Sequence, residues 1–207
     1  MTFPDDAMAF YAELRLDNTR EFWQANKARY EAQVRAPVEA IAAGLADKFG
    51  AAKVYRPHRD LRFSADKTPY KTHQGAQVST GPACGWYFEV NADDFVAGGG
   101  WYHAERQTLA AYRAAVDDEL TGTRLARIVA GLEKDGWQLL GDQLRTAPRG
   151  YPVDHPRIRL LRHKSLYLLH EVSPASAGTQ QATAEIAGLW DAVTPLLRWF
   201  EPLLRAS

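Results

Sequence analysis

The sequence predicts an α+β domain: an antiparallel β meander over about residues 54–102, joined by a strand at 165–173, packed against N-terminal, middle and C-terminal helices. Three observations carry this reading. Apolar residues recur at helical spacing up to Leu45; after Gly50 the pattern becomes short β-branched and aromatic runs; helical stripes return after Tyr102. Strands grouped between helices, rather than alternating with them one for one, are the α+β order.

Ala7, Phe10, Tyr11 and Leu14 mark a helix over about 4–16. Asn18 with Glu21 three residues on resembles a capping box, opening a second helix that carries Phe22, Trp23, Tyr30 and Val34. Pro37 cannot sit inside that helix without losing a hydrogen bond, so it kinks the helix or starts another, which runs through Val38, Ile41 and Leu45 to Gly50. Val54–Arg56, Leu61–Phe63, Gly75–Thr80, Trp86–Val90 and Phe95–Tyr102 then read as strands separated by turn residues. In Trp86–Val90 the residues Trp86, Phe88 and Val90 alternate with Tyr87 and Glu89, the pattern of a half-buried strand, and Asn91–Asp94 is its hairpin turn. Leu109, Tyr112 and Val116 begin a helical stripe, and Leu125, Ile128, Val129 and Leu132 a second that stops near Gly136. Trp137–Leu140 reads as a short strand, and Ser165–Ser173, apolar on both faces, as a central one. Ile186, Leu189, Trp190, Val193, Leu197 and Phe200 form a closing helix with a kink expected at Pro195.

The chain has 207 residues, the size of one generous domain, and its mix of 46% hydrophobic and 24% charged residues excludes collagen, coiled coil and long disorder. A single cysteine, Cys84, rules out an internal disulfide. No stretch reaches the length of a membrane span and the N-terminus lacks the features of a secretory signal, so the expected location is the cytoplasm with no membrane partner.

Lys and Arg total 25, as do Asp and Glu, so no global field steers the protein to nucleic acid. The charge is uneven all the same. Arg56–His73 carries a net +3, Arg145–Lys164 a net +5, and the remainder −8. Two basic segments in an acidic body suit a small anionic ligand better than a long polyanion, unless each basic residue pairs with the acidic helices.

The densest polar stretch runs from Arg56 to His73. If 59–63 is extended, Asp60 and Arg62 share a face and form a pair that holds a guanidinium ready for carboxylate or phosphate. Ser64, Asp66, Lys67, Tyr70, Lys71 and Thr72 add hydroxyls and ammoniums, the inventory of an anion cradle; the alternative is a rigid turn in which Asp66 caps backbone donors. Gly98, Gly99 and Gly100 mark either a bulge or tight packing against another backbone, or a place where a ligand comes close, with Tyr102 as a wall. In the second basic segment Asp154 and Pro156 start a short helix bearing Arg159, and His155 is either a cap or a general acid or base. Walker A, Rossmann, Gly-x-Ser-x-Gly and His-Glu-x-x-His patterns are absent, so the sequence names no cofactor and no metal ligand.

Taken together, Asn18-x-Arg20-Glu21 beside Phe22-Trp23, Tyr30 and Pro37, then Arg59-Asp-x-Arg-Phe-Ser-x-Asp-Lys-x-Pro-Tyr-Lys-Thr72, Gly98-Gly-Gly-x-Tyr102, Pro148-x-Gly-Tyr151 and Asp154-His-Pro156, followed by Leu161 and Lys164, resemble the bacterial and fungal family known as domain of unknown function 2461. The similarity spans about residues 7–205; where the family shows Arg-Glu-Trp-Phe, this chain has Arg20-Glu-Phe-Trp23. The resemblance implies a single-domain protein and brings no activity, substrate or cofactor.

Two functions of different class follow. One is a pocket for a small anionic or phosphorylated ligand, lined by Arg59, Arg62, Ser64, Lys67, Tyr70, Lys71, Thr72 and Gly98–Gly100, with Tyr102 and Arg159 contributing. In its enzymatic form, a hydrolase or transferase, Asp60, Asp66 and His155 are the catalytic candidates. The other is a non-catalytic protein-interaction module whose polar motifs are structural; nucleic acid is the least favoured partner, and oligomeric state stays open.

Overall fold

Asp5 and Asp6 open helix α1 (Asp5–Leu16), where the positive end of the helix dipole favours them. The structure is a computed structural model and describes residues 3–60, 62, 66–103, 105–173 and 178–205. Helix α2 (Arg20–Tyr30) is capped by Thr19, whose Oγ1 accepts a hydrogen bond from the Phe22 N–H at 3.2 Å. Sequence spacing assigns that cap to Asn18, but the Asn18 amide is drawn away to Tyr70 and Thr19 takes the role. A five-residue π-turn, Glu31–Arg35, leads into α3 (Ala36–Phe49). Pro37 falls in the first turn of α3, directly after the π-turn, and the helical backbone runs on through it from α2 without a break. Gly50, at a φ of 95°, ends it.

The strands are β1 (Lys53–Val54), β2 (His73–Gly81), β3 (Cys84–Asn91), β4 (Phe95–Trp101), β5 (Gln138–Leu140) and β6 (Leu166–Glu171). They form one antiparallel sheet in the order β1-β2-β3-β4-β6-β5. Lys53 and Val54 register with Gln77 and Ala76, and Gln138, Leu139 and Leu140 with Leu169, Leu168 and Tyr167. The β3–β4 turn is held by the Asn91 side chain, whose Oδ1 accepts from the N–H groups of Asp93 and Asp94 at 2.8 Å each. In the expected strand Leu61–Phe63, Arg62 occupies a bend, and Leu61 and Phe63 lie outside the described residues.

The remaining helices are α4 (Arg106–Asp117), α5 (Glu119–Lys134), α6 (Ile158–Leu161) and α7 (Thr179–Arg205), the last continuing through Pro195 and Pro202. Helix α6 begins later than Asp154 and Pro156 suggest. The His155 ring accepts from the Arg157 N–H at 3.0 Å and holds the preceding turn, so the helix is one turn long. Among the described residues no helix is long and apolar enough to cross a membrane.

The chain folds as two compact units whose boundaries fall inside β2, β3, β4, β6 and α7. The first comprises the residues up to Val78, Tyr87–Ala97 and Glu171–Gly188. Its centre is aromatic: Phe10 lies 5.3 Å from Tyr11, 6.1 Å from Trp23 and 5.7 Å from Tyr30, ring centre to ring centre. One buried polar group is included at no loss: Gln74 accepts from the Tyr30 hydroxyl at 2.6 Å and donates to the carbonyls of Tyr55 and Gly75. The second unit comprises Ser79–Trp86, Gly98–His170 and the residues from Leu189 onward. Trp101, Tyr112, Leu125, Leu166, Leu168, Val193 and Phe200 are buried at its core, each apolar side chain contributing about 1.5–3 kcal/mol. Tyr112 satisfies its hydroxyl by donating to the Leu160 carbonyl at 2.7 Å.

Candidate functional site

The polar Arg56–His73 segment belongs to the first unit and is closed at its base by backbone pairing. His58 and Tyr70 form an antiparallel bridge, with the Arg59 N–H donating to the Pro69 carbonyl at 2.9 Å and the Lys71 N–H to the Pro57 carbonyl at 2.8 Å. Tyr70 is then pinned from two sides. Asn18 bonds its N–H and its carbonyl, and the Trp23 ring stacks on it at 4.2 Å and 10°. The His58 ring completes the pile 5.3 Å from Tyr70. Over it lies a groove of about 360 Å³ lined by Trp23, Lys27, Arg56, His58 and Tyr70, with Glu31 and Arg35 of the π-turn at its edge.

Inside the loop, several candidate residues are engaged with one another. Asp66 Oδ1 accepts from the Thr68 N–H and hydroxyl at 2.9 and 2.8 Å, and Oδ2 pairs with Arg59 at 2.9 Å. Hydrogen bonds from Thr68, with Arg59 assisting, hold the Asp66 carboxyl below its ordinary pKa. Arg59 also reaches the Tyr70 carbonyl at 3.4 Å, while its buried Nε has no partner. Asp60 and Arg62 form the side-by-side pair expected of them, through two contacts of 3.0 and 2.7 Å. That guanidinium holds the Asp60 carboxyl well below the carboxylate range. Arg62 is 77% exposed, and Lys67 is exposed as well. Ser64 lies outside the described residues.

A second group gathers where β1 meets β2. The Lys71 and Lys53 ammoniums lie over the same Tyr55 ring, 5.1 and 5.8 Å from its centre. Burial, then the like charges of Arg56, Arg59 and Lys53, lower the Lys71 pKa. Among the described residues Lys53, Arg56 and Lys71 form no ion pair, although the charge of Arg56 helps to lower the pKa of Asp60. Beyond Lys71, the side chains of Thr72 and His73 line a polar pocket of about 230 Å³ with Glu89 and Asn91. Glu89 accepts from the Tyr87 hydroxyl at 2.5 Å and from Asn91 at 3.2 Å. Gly75 makes room for this arrangement, since a Cβ there would stand 2.4 Å from the Tyr87 hydroxyl.

The other candidates lie in the second unit and are engaged structurally. His155 pairs with Asp117 at 3.0 Å and caps the turn before α6. Arg159 forms a two-point pair with Glu133 of α5. Gly98 and Gly100 are approached by backbone of β6: a Cβ would meet the Leu168 carbonyl oxygen at 2.0 Å and the Tyr167 Cα at 2.4 Å. Gly99 is similarly close to the Gly85 carbonyl, at 2.9 Å. The Tyr102 hydroxyl donates to that same carbonyl at 3.4 Å. Cys84 is buried, and burial pushes its thiol up to about 11, out of nucleophilic range at neutral pH. Among the described residues no group of three His, Cys, Asp or Glu side chains is placed to hold a metal ion.

Lys53, Tyr55, Arg56, His58, His73 and Glu89 are functional candidates that motif reading overlooks. The alternation of Tyr87 and Glu89 against Phe88 and Val90 is the signal that exposes one of them. Trp23 resembles any other core aromatic until its stacking on Tyr70 is known.

The family model described as conserved hypothetical protein (DUF2461) matches residues 6–199. The chain belongs to that family. No curated protein and no solved structure matches it. The match takes in both the Arg56–His73 segment and the basic Arg145–Lys164 segment of this DUF2461 protein.

Proposed function

We propose that the first unit binds a small anionic ligand, carboxylate or phosphate, on Lys53, Arg56 and Lys71. One observation carries this reading: the Lys53 and Lys71 ammoniums share the Tyr55 ring and the charge of Arg56 reaches Lys71, while none of the three forms an ion pair with a carboxylate among the described residues. Holding like charges together and partly burying one is unfavourable, and an anion reverses the sign of that interaction. The groove beside Arg56, with the edges of the buried Trp23 and Tyr70 rings in its lining, gives a ligand room next to that charge. Within the set the sequence nominates, this reading gives ligand contact to Lys71, Arg59 and Tyr70. Asp60, Asp66, Arg62 and Lys67 become supports of the loop.

The test is thermal unfolding of wild type and Lys71→Ala against inorganic phosphate, phosphate monoesters and di- and tricarboxylates. At a hundredfold excess over Kd a ligand adds about 2.7 kcal/mol, a rise in Tm of roughly 5–10 °C for a chain of this size. The expected result is a rise in wild type that Lys71→Ala abolishes. No rise with any of these anions overturns the proposal.

A protein-contact module is the second reading, favoured by the surface of α5. Leu120 is 81% exposed there and shares a shallow surface with Ile128, Arg124 and Arg127. A change in sedimentation between wild type and Leu120→Glu supports self-contact through this face; identical sedimentation at all concentrations removes that form of it.

A further inference from the structure

The pocket next to Lys71 has chemistry opposite to that of the cation cluster. Thr72, His73, Glu89, Asn91 and Asp94 line it, together with Arg15 and Asp93. The Arg15 guanidinium is occupied by Asp93, in contacts of 2.5 and 3.2 Å, so their charges cancel. What remains to meet a ligand is dominated by acceptors, with the Thr72 hydroxyl and the His73 ring each able to accept or donate. Glu89 and Asp94 bring negative charge, and the His73 ring has no hydrogen-bond partner among the described residues. Burial, with Lys71 and Arg59 adding to it and Glu89 opposing, lowers the His73 pKa, so at neutral pH the ring is uncharged and offers a lone pair.

Lys71 and His73 are two residues apart, so their Cα atoms lie no more than about 7 Å from each other. A compact ligand therefore spans both environments. A bare anion has nothing to gain from the Glu89 side, where the field is repulsive to it.

We infer that the ligand of the first unit carries an anionic group at one end and hydrogen-bond donors, hydroxyl or ammonium, at the other. The anion rests on Lys53, Arg56 and Lys71, and the donors enter the pocket of His73 and Glu89. This deepens the anion-binding reading and rests on it.

The experiment is calorimetric titration of wild type with ethyl phosphate, glycerol 3-phosphate and phosphoethanolamine, which share a phosphate monoester and differ in donors. At least one donor-bearing ester is expected to bind about tenfold or more tighter than ethyl phosphate. Which of the two does so tells hydroxyl from ammonium recognition. His73→Ala and Glu89→Gln are expected to erase the difference between that ester and ethyl phosphate, and retained binding of ethyl phosphate shows that the variants are folded. Equal affinity for all three esters in wild type overturns this inference and leaves the anion site standing. Failure of all three to bind overturns this inference, and the anion site falls with it when the di- and tricarboxylates also leave Tm unchanged.

Discussion

The side-chain amide of Asn18 bonds both polar backbone groups of Tyr70: its Oδ1 accepts from the Tyr70 N–H at 3.1 Å and its Nδ2 donates to the Tyr70 carbonyl at 3.0 Å. Asn18 thus behaves as a one-residue strand, fixing the base of the Arg56–His73 loop across 52 positions of sequence. Tyr70 in turn presents its ring to Trp23 and bridges to His58, so the groove floor depends on this clamp. Asn18→Ala leaves a part-buried donor and acceptor unpaired, with an expected loss of about 2–3 kcal/mol. Urea unfolding measures it. A loss under about 0.5 kcal/mol, the size of an ordinary surface change, refutes the clamp.

The glycines divide into those a neighbour forbids to change and those it does not. At Gly98 a Cβ would stand 2.0 Å from the Leu168 carbonyl oxygen, and backbone cannot move aside as a side chain can. At Gly131, exposed in α5, a Cβ meets nothing within 4 Å. Gly98→Ala is expected to cost about 3 kcal/mol or more, whereas Gly131→Ala should gain about 0.5–1 kcal/mol through helix propensity and a less flexible unfolded chain. Parallel urea titrations decide both. A tolerated Gly98→Ala contradicts the strand contact described for it.

Arg62 and Arg157 each sit in a basic segment, yet their environments differ. Arg62 is exposed and pairs with its near neighbour Asp60. The Arg157 side chain is 10% exposed and donates to the carbonyls of Val116 and Asp117 at 2.7 and 2.8 Å, capping the end of α4. Arg62→Ala should leave stability nearly unchanged, and Arg157→Ala should lower it by about 2–3 kcal/mol. Guanidinium or thermal unfolding of the two variants side by side is the check, and equal effects contradict this assignment.

What is legible in the sequence is whatever a local pattern encodes. The stripe from Val38 to Leu45 and the alternation around Phe88 reveal α3 and β3 because burial of one face imposes its period on the chain. The Asp60–Arg62 pair is legible for the same reason, being two residues apart. Partners chosen by tertiary contact are not. Nothing local distinguishes Asn18 from a cap, and Thr19 competes for that role one position away. The Lys53–Tyr55–Lys71 cluster joins residues brought together only by the β1–β2 pairing. The glycines mark in the sequence either a bulge or tight packing or the approach of a ligand, and only the sheet order reveals the backbone of β6 as what approaches Gly98.

His163 makes stability depend on pH. It is fully buried, its Nδ1 is 2.9 Å from the Ser165 carbonyl and so carries the proton, and Nε2 has no partner. Burial, reinforced by Arg159 and Arg162 and opposed by the Ser165 hydrogen bond and Glu133, lowers its pKa below the ordinary histidine value. A folded-state pKa below the unfolded one means that the unfolded chain binds the proton more tightly. The contribution of His163 is therefore intact above the unfolded value of about 6.5, and it is lost progressively as pH falls from there toward the folded value. His163→Asn keeps a donor for the Ser165 carbonyl and removes the titration. Its unfolding midpoint, followed from neutral to mildly acidic pH, should fall less steeply than that of wild type. Superimposable slopes would assign the acid sensitivity to other groups.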